Sequence, residues 1–282
     1  LYAKVKAGAT GYDLYICSSY MVNIMNDQKM LQSIDLGKLK NIGNIDPEYL
    51  KISLDPAMSH SVPYMMSFAG IAYNTEKVKN FVPTWAMLDR SDLKGRITLL
   101  NDLRETIGAA LKFNGCNYNS LNPAELDKAR QTVLRWKKNI AKFDVDEAKR
   151  GLEAGEFFLI HTYNGDALQI ISQNPKIAFA VPREGTSISV DDMVIPTSAV
   201  NADLAYRFID HLLDPEVCAK NMEYISYLAP NLAAQKIMPK DFMENPAVLP
   251  SKEILKKSDI LKDLGADNAT YSKIWDEIKS AE

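Results

Sequence analysis

The segment Thr98-Leu99-Leu100-Asn101-Asp102-Leu103-Arg104-Glu105 joins an apolar run to the start of a helix. Its β-branched and apolar residues predict a strand, and Asn101-Asp102 ends that strand and opens the helix. Asp102 and Glu105 are three residues apart, a spacing that places both side chains on one helical face. In a capping box the two side chains would only satisfy amides of the first helical turn. The alternative is a corner that offers two carboxylates to a cation.

Alternating strands and helices along the rest of the chain predict an α/β fold. A buried strand is predicted at 12–16, followed by Ser18-Ser19-Tyr20 and a helix over 22–31, and a second apolar strand is predicted at 157–161. In such folds ligands settle outside the carboxyl ends of strands. Three polar residues lie at such ends: Ser18, Asp102 and Tyr163.

Several further elements have clear boundary residues. The corner helix is expected to end before Gly115, and the next helix has Asn122 as its N-cap. Helical spacing places Trp136 of that second helix in the core rather than in a binding site. Asp166 is predicted to cap a helix that runs through residue 171, and a strand is expected at 177–181.

The acidic pair Asp191-Asp192 opens a short predicted strand that extends to Pro196. Successive side chains of a strand point to opposite faces, so only one of the two aspartates can face a ligand. We predict that this residue is Asp191. Two amphipathic helices are expected at 202–213 and 215–226, and Tyr227 opens the loop that follows them.

Composition and motif content exclude several classes of protein. The 282 residues, 46% of them hydrophobic, are sufficient for one large or two ordinary domains. The net charge is −3 and the 33 Lys and Arg are scattered, which argues against a nucleic-acid partner. The three cysteines and three histidines lack the spacing of a disulfide framework or a metal site, so we predict no metal and no cofactor. No common catalytic motif is present, which argues against an enzyme.

The first residues have an unusual pattern. Leu1–Gly8 has the pattern of the last turns of a helix that ends at a glycine C-cap. We therefore expect that an N-terminal segment precedes this sequence and that a targeting signal was removed with it. No apolar run approaches the roughly 20 residues that are needed to cross a bilayer.

The order of several short motifs resembles that of the spermidine/putrescine-binding proteins of bacterial ABC transporters, and the resemblance spans nearly the whole chain. Each motif is weak alone, whereas their shared order and spacing are specific. The motifs are Tyr12-Asp13-Leu14, Ser18-Ser19-Tyr20, Asn101-Asp102-Leu103-Arg104-Glu105, Tyr163-Asn164-Gly165, Asp191, Ile195-Pro196 and 227–234.

This resemblance implies a two-lobed periplasmic-binding-protein fold of type II, in which each lobe is a mixed sheet flanked by helices. It implies that one lobe contains residues 1–67 and 190–235 and the other contains 68–189 and 236–282. The first crossing between lobes is expected at the apolar segment 68–73, where Gly70 predicts a close backbone approach or a bend. The family also has a strand, a helix and a strand ahead of residue 1, which are missing from this sequence.

The resemblance also assigns roles to individual residues around a polyamine held between the lobes. Asp102 and Glu105 match carboxylates that bind ammonium groups, and Asp191 matches an aspartate that binds an amine. The remaining ligand-binding positions that the family implies are Ser18, Tyr20, Tyr163 and Tyr227.

Three positions depart from the family pattern and bear on which polyamine is preferred. Tyr163 stands where relatives usually have a tryptophan, and Ser189 stands where they usually have a large aromatic residue. Leu261 stands where the spermidine-preferring pattern has glutamine. Ser189 and Leu261 are therefore possible additional contacts with the ligand.

The function that these observations favour is capture of putrescine or spermidine for an ABC uptake system, with closure of the lobes on the ligand. The implied partners are the polyamine and a membrane permease, and the implied location is the periplasm or a lipid anchor on the membrane. Other ligands of the same fold, such as ferric iron, thiamine or a sugar, remain open. Less favoured alternatives are a hydrolase that uses Asp102, Glu105 and Asp191 as acid–base groups and a receptor that signals to a membrane partner.

Overall fold

Within residues 11–281, two strands, at 62–74 and 187–194, each pass from one compact unit of the chain to the other. The structure is a computed structural model that describes residues 11–281. Within those residues, unit 1 contains 11–66, 189–243 and 261–263, and unit 2 contains 67–188, 244–260 and 264–281. The sequence-based borders differ by one residue at each of the two crossings, at Ser67 and Ser189, and they assign residues 236–243 and 261–263 to the second lobe.

The strands and helices of the described residues are numbered along the chain. The strands are β1 (Tyr15–Ser18), β2 (Val62–Asn74), β3 (Ile97–Leu100), β4 (Ile140–Asp144), β5 (Leu159–Tyr163), β6 (Ile177–Ala180), β7 (Ser187–Val194) and β8 (Asp259–Ile260). The helices are α1 (Ser19–Asp27), α2 (Pro47–Leu50), α3 (Leu103–Phe113), α4 (Pro123–Lys137), α5 (Glu147–Glu153), α6 (Asn164–Ile171), α7 (Ala202–Leu212), α8 (Pro215–Ile225), α9 (Leu232–Ile237), α10 (Lys240–Met243), α11 (Lys252–Lys257) and α12 (Asn268–Ser280).

Unit 2 is built on a mixed sheet in the order β6, β2, β5, β3, β4. β2 runs antiparallel to β5 and β6, whereas β3 is parallel to both β4 and β5. All four residues of β3 are buried, as expected for a continuous apolar run with both faces covered. Because β3 and β5 are parallel, their carboxyl ends lie at the same edge of the sheet, where Asp102 and Tyr163 follow.

The core of unit 2 is formed where α3 and α4 cover this sheet. Trp136 of α4 is completely buried, which confirms that it is a core residue. α4 begins after Asn122, whose side chain accepts a hydrogen bond from the Ala124 amide, so the predicted N-cap is confirmed. Gly70 of β2 allows close packing, because a Cβ there would lie 2.4 Å from the Phe179 ring.

Unit 1 contains the antiparallel pair of β1 and the second half of β7. Residues Met193 and Ile195 pack with Ile209 of α7 in its main hydrophobic cluster. The predicted helices at 202–213 and 215–226 are confirmed as α7 and α8, each to within one residue. The C-cap of α8 is Ser226, whose φ of 62° is the left-handed conformation that closes many helices.

Some local predictions are wrong. The first strand lies at Tyr15–Ser18 rather than at 12–16, and α1 spans Ser19–Asp27 rather than 22–31, since the helix starts directly after the strand. Asp166 does not cap α6, which begins two residues earlier, and instead forms an ion pair with Lys149 at 2.8 Å. The predicted helix end at Leu1–Gly8 lies outside the described residues.

The remaining observations concern the cysteines, metal sites and membrane-spanning helices. Cys17 and Cys218 are buried thiols and Cys116 is partly buried, and none of the three is in a disulfide. Between Gly11 and Ala281, no group of three or more His, Cys, Asp or Glu side chains has the arrangement of a metal site. Over the same residues, none of the helices has the length and apolar character that a bilayer crossing requires.

Candidate functional site

The corner between β3 and α3 is built by Asp102 as the N-cap of α3. Its Oδ1 accepts hydrogen bonds from the amides of Arg104 at 2.8 Å and Glu105 at 3.0 Å. The backbone of Asp102 is extended, as an N-cap residue requires. The N-cap half of the capping-box interpretation is therefore confirmed.

Glu105 does not complete that capping box. Its side chain is fully buried, and its Oε2 accepts hydrogen bonds from the Tyr118 hydroxyl at 2.9 Å and from Ser187 Oγ at 2.7 Å. Its Oε1 is buried and has no hydrogen-bond partner among the described residues. The carboxylate is thus held by side chains from distant parts of unit 2 instead of by the adjacent helical turn.

Burial raises the pKa of Glu105 from 4.5 to about 7, and the negative charge of Asp102 acts in the same direction. The hydrogen bonds from Ser187 and Tyr118 and the charge of Arg104 lower the pKa but do not restore the ordinary value. A cation at Oε1 would favour the ionised form, because an opposite charge within a few ångströms stabilises a carboxylate.

Tyr163 lies near the same group of residues in unit 2. It is the last residue of β5 and the N-cap of α6, and β5 pairs in parallel with β3, which leads to Asp102. The next residue, Asn164, is buried and fixes the corner by accepting from the Phe68 amide and donating to the Ala247 carbonyl. Unit 2 therefore brings Asp102, Glu105 and Tyr163 to one edge of its sheet.

Unit 1 places Ser18 directly opposite Asp191 in the register between β1 and β7. Ser18 Oγ donates to Asp191 Oδ1 at 3.3 Å, and the Ser18 side chain makes no capping hydrogen bond to α1. Asp191 is partly buried, and this burial raises its pKa, whereas the bond from Ser18 lowers it. These two predicted residues are thus in direct contact within one unit.

Asp192 lies on the opposite face of β7, as strand alternation predicted. It is 2% exposed, its Oδ2 accepts from Ser19 Oγ at 2.7 Å, and its Oδ1 has no hydrogen-bond partner among the described residues. Burial raises the pKa of Asp192 to about 7, an effect that the Ser19 bond opposes and that the charges of Asp191 and Asp55 strengthen.

The other predicted positions all belong to unit 1. Tyr20 is in the first turn of α1, and Tyr227 follows α8 immediately before Leu228, which pairs with Met66. Ser189 precedes Asp191 by two residues in β7 and so shares its face. Leu261 is 7% exposed.

Sequence reasoning missed two residues of this site, Tyr118 and Ser187, which contact Glu105 directly. Both are completely buried, although Tyr118 lies in the connection between α3 and α4, where an exposed side chain is the usual expectation. Their separation from Glu105 by 13 and 82 positions leaves no periodic signal in the sequence.

The arrangement is suited to holding a cation rather than to acid–base catalysis by histidine. His161 of β5 is completely buried beside Trp85, with 5.0 Å between ring centroids, and burial lowers its pKa to about 3. With a pKa this low the imidazole stays neutral near pH 7 and is a weak base. Carboxylates beside an aromatic side chain, in contrast, can neutralise an ammonium group and cover the carbon attached to it.

Comparison with known proteins defines the class to which this fold and site correspond. The profile of the bacterial extracellular solute-binding proteins matches residues 1–250, and the chain belongs to this family. The chain is similar over 99% of its length to the spermidine/putrescine-binding periplasmic protein of Escherichia coli (strain K12), with 32% identity and 81% of that relative covered. It is 30% identical to a putrescine/cadaverine-binding protein of Pseudomonas aeruginosa, over 98% of this chain and 82% of that one.

Solved structures with the same fold include two close matches. One is the spermidine/putrescine ABC transporter substrate-binding protein PotD from Streptococcus pneumoniae, with a TM-score of 0.90, 33% identity, and 99% of this chain and 86% of that chain covered. Another is the TpPotD lipoprotein of Treponema pallidum, with a TM-score of 0.89, 31% identity, and coverage of 98% and 87%. The mixed α/β fold expected from the sequence is therefore confirmed.

Proposed function

We propose that this protein is the polyamine-binding component of an ABC uptake system and that it binds without catalysing a reaction. The names of the relatives in Escherichia coli and Pseudomonas aeruginosa support this class of ligand. The structural observation that carries the proposal is the fully buried carboxylate of Glu105, one oxygen of which has no hydrogen-bond partner among the described residues. A buried ionised carboxylate in this state is costly unless it is protonated or a cation reaches it. Glu105 also lies at the carboxyl edge of the unit 2 sheet, where ligands of α/β folds settle.

An alkyl ammonium fits this requirement for a physical reason. It carries a full positive charge with three N–H donors, so it can pair with Glu105 and still leave donors for a neighbouring acceptor. Tyr163 at the same sheet edge would cover the first methylene groups, and a cation–π contact with its ring contributes about 0.5–2 kcal/mol. Each buried methylene adds about 0.8 kcal/mol.

In this proposal the preferred length of the polyamine is set by the positions of the carboxylates rather than by the burial of methylene groups. About 0.8 kcal/mol per methylene is roughly a fourfold preference, which does not separate putrescine from spermidine. We therefore assign the second amine to Asp191 of unit 1, with Ser18, Tyr20 and Tyr227 as its neighbours and Ser189 and Leu261 as possible contacts. In the two-lobed, type II arrangement that the family implies, a ligand that contacts both units favours the closed state.

The partner in this proposal is the membrane permease of the same transporter, which recognises the liganded protein. The proposed location is the periplasm or the membrane surface through a lipid anchor. The periplasmic protein of Escherichia coli and the lipoprotein of Treponema pallidum support these two alternatives.

Isothermal titration calorimetry with putrescine, cadaverine, spermidine and spermine tests the function. We expect at least one of these amines to bind with a Kd in the micromolar range or below, which corresponds to about 8 kcal/mol or more. The uncharged diol of the same chain length as putrescine serves as the ligand control and is expected not to bind. Absence of binding by all four amines to a folded protein would contradict the proposal.

A further inference from the structure

Two hydroxyl groups converge on a single oxygen of Glu105. The Tyr118 hydroxyl and Ser187 Oγ both donate to Oε2, at 2.9 Å and 2.7 Å, and Oε1 is left without a partner among the described residues. A carboxylate that is fixed through one oxygen has little rotational freedom at its terminal torsion. The two donors therefore decide the direction in which Oε1 points.

Tyr118 is held rigidly against the helix that carries Glu105. Its ring lies over Gly108, where a Cβ would approach the ring to within 1.8 Å, so only glycine permits this contact. Gly108 is three residues beyond Glu105 and thus on the same face of α3. The Tyr118 hydroxyl also lies 3.0 Å from the Glu105 carbonyl oxygen. The backbone amide of Tyr118 donates to Asp259 Oδ2 at 3.0 Å.

Ser187 is fixed by the same aspartate through the backbone. Ser187 is paired with Asp259 in the parallel bridge between β7 and β8, and Asp259 forms an ion pair with Lys112 of α3. Thr186, the preceding residue, donates through Oγ1 to the Ala69 carbonyl at 2.8 Å. Asp259 therefore connects the two donors to α3. It accepts a hydrogen bond from the Tyr118 amide, pairs with Ser187 in the sheet, and forms an ion pair with Lys112 of α3.

We infer that Tyr118 and Ser187 are positioning residues that hold Glu105 so that Oε1 is presented to an ammonium group of the ligand. This inference rests on the polyamine-binding function proposed above. Neither side chain has to touch the ligand, because each acts through the orientation and the ionisation of the Glu105 carboxylate. Loss of either hydroxyl keeps the side chains that contact the ligand but removes one of the two hydrogen bonds that orient the Glu105 carboxylate.

The charges around Glu105 give this role a distinctive pH dependence. The charges of Asp102 and Arg104 at the start of α3 act on it, and it accepts hydrogen bonds from Tyr118 in the loop that follows α3 and from Ser187 of β7. The hydrogen bonds from Tyr118 and Ser187 lower the pKa of Glu105, so their removal raises it further above 7. Because aliphatic amines stay protonated near pH 7, the affinity follows the ionisation of Glu105 and improves as the pH rises through its pKa.

The test is the pH profile of the putrescine Kd, measured by calorimetry from about pH 5.5 to 9 for the wild type, Ser187→Ala and Tyr118→Phe. For the wild type, affinity at pH 6 is expected to be about tenfold weaker than at pH 8. In each variant the midpoint is expected to move up by about one pH unit, because a hydrogen bond to a charged group has been lost. If putrescine does not bind the wild type, the same series is run with the tightest amine of the calorimetric panel.

Matched controls remove buried hydroxyl groups that do not contact Glu105, Tyr118 or Ser187. Tyr206→Phe removes a hydroxyl that accepts from the Asp35 amide at 2.8 Å, and Thr132→Val removes a hydroxyl that accepts from the Asn114 side chain at 3.1 Å. Both controls are expected to lower the melting temperature without moving the midpoint of the pH profile. In a Glu105→Gln background, Ser187→Ala is expected to have no further effect on affinity.

The outcomes separate this inference from the function on which it rests. No binding of any polyamine by the wild type overturns the proposed function and this inference with it. Binding with profiles that superimpose for the wild type, Ser187→Ala and Tyr118→Phe overturns only this inference. If both variants fail to fold while the controls fold, the two hydroxyl groups have a structural role and the inference is again overturned.

Discussion

The acid pair at the start of α3, Asp102 and Glu105, and the acid pair in β7, Asp191 and Asp192, are held by hydrogen bonds from different kinds of partner. At the start of α3, Oδ1 of Asp102 caps the helix and Glu105 is buried beside two hydroxyl donors. In β7, Asp191 contacts Ser18 and is partly buried, and Asp192 is buried beside Ser19. Each pair thus contains one deeply buried carboxylate with a pKa of about 7 and one oxygen without a partner among the described residues.

The difference between the two pairs is which member we assign to the ligand. In unit 2 it is the buried acid, Glu105, whose two donors come from remote segments of the chain. In unit 1 it is Asp191, and the buried acid Asp192 faces the interior beside Ser19 and the Asp55 loop. Burial and a raised pKa therefore do not identify a ligand-binding carboxylate without the direction of its strand or helix.

The largest expected effect that would distinguish the two pairs comes from Glu105→Gln. Loss of the charge that we assign to an ammonium of the ligand is expected to weaken polyamine binding by about 3 kcal/mol, or roughly a hundredfold. Calorimetry at pH 8 measures the change, and Asp127→Asn on the exposed face of α4 is the control. An unchanged Kd for folded Glu105→Gln would remove Glu105 from the site.

The two buried acids, Glu105 and Asp192, should also make the free energy of unfolding of the ligand-free protein depend on pH. Because the folded-state pKa values of Glu105 and Asp192 are raised to about 7, the folded protein binds more protons than the unfolded chain between about pH 4 and 7. Each group then favours folding at low pH, and this contribution is lost as the pH rises through 7. We expect each to lower the free energy of unfolding by roughly 2–3 kcal/mol between pH 5 and pH 8.

Urea unfolding of the wild type, Glu105→Gln and Asp192→Asn at the two pH values measures these contributions. Each variant is expected to show a smaller decrease than the wild type, and Asp127→Asn should match the wild type. Equal decreases in all four proteins would mean that neither carboxylate titrates in this range.

A smaller effect on polyamine binding is expected to distinguish the two neighbours in β7, Asp191 and Asp192. Asp191→Asn is expected to weaken polyamine binding by about 2 kcal/mol, roughly thirtyfold, because it removes the charge assigned to the second amine. Asp192→Asn keeps an acceptor for Ser19 and is expected to change the Kd by less than about threefold. A larger effect of Asp192→Asn than of Asp191→Asn would reverse the assignment of the two faces.

The smallest effect concerns the aromatic side chain of unit 2. Tyr163→Trp introduces the residue that the family resemblance implies at this position, and an indole is the strongest cation–π partner. We expect the affinity for putrescine to increase by up to about fivefold, which corresponds to roughly 1 kcal/mol. Tyr163→Leu, which keeps apolar area but has no π face, is expected to weaken binding, and equal affinity in all three proteins would exclude an aromatic contact.

The sequence predicted the parts of the fold that depend on local patterns. The amphipathic helices α7 and α8, the N-cap Asn122 and the core position of Trp136 follow from periodicity and capping preferences, and these are confirmed. The start of α6 was placed too late because Asp166 is a good N-cap residue by composition. In the structure its carboxylate pairs with Lys149 of the neighbouring helix α5, which no local pattern records.

The candidate site was predictable only in part for the same reason. The i, i+3 spacing placed Asp102 and Glu105 on one helical face, and the alternation of β7 separated Asp191 from Asp192. The capping-box interpretation of Glu105 was wrong because hydroxyl groups 13 and 82 positions away offer it hydrogen bonds that the first helical turn does not.

By itself the sequence determined the corner at Asp102, the alternation in β7 and the family to which the motif order belongs, because these depend on neighbours along the chain. Only the tertiary structure decided the surroundings of each carboxylate. Burial, the donors Tyr118 and Ser187, and the oxygen that they leave without a partner all arise from packing between segments distant in sequence. Since the pKa of Glu105 is set by those surroundings, its chemistry is a property of the fold rather than of the motif.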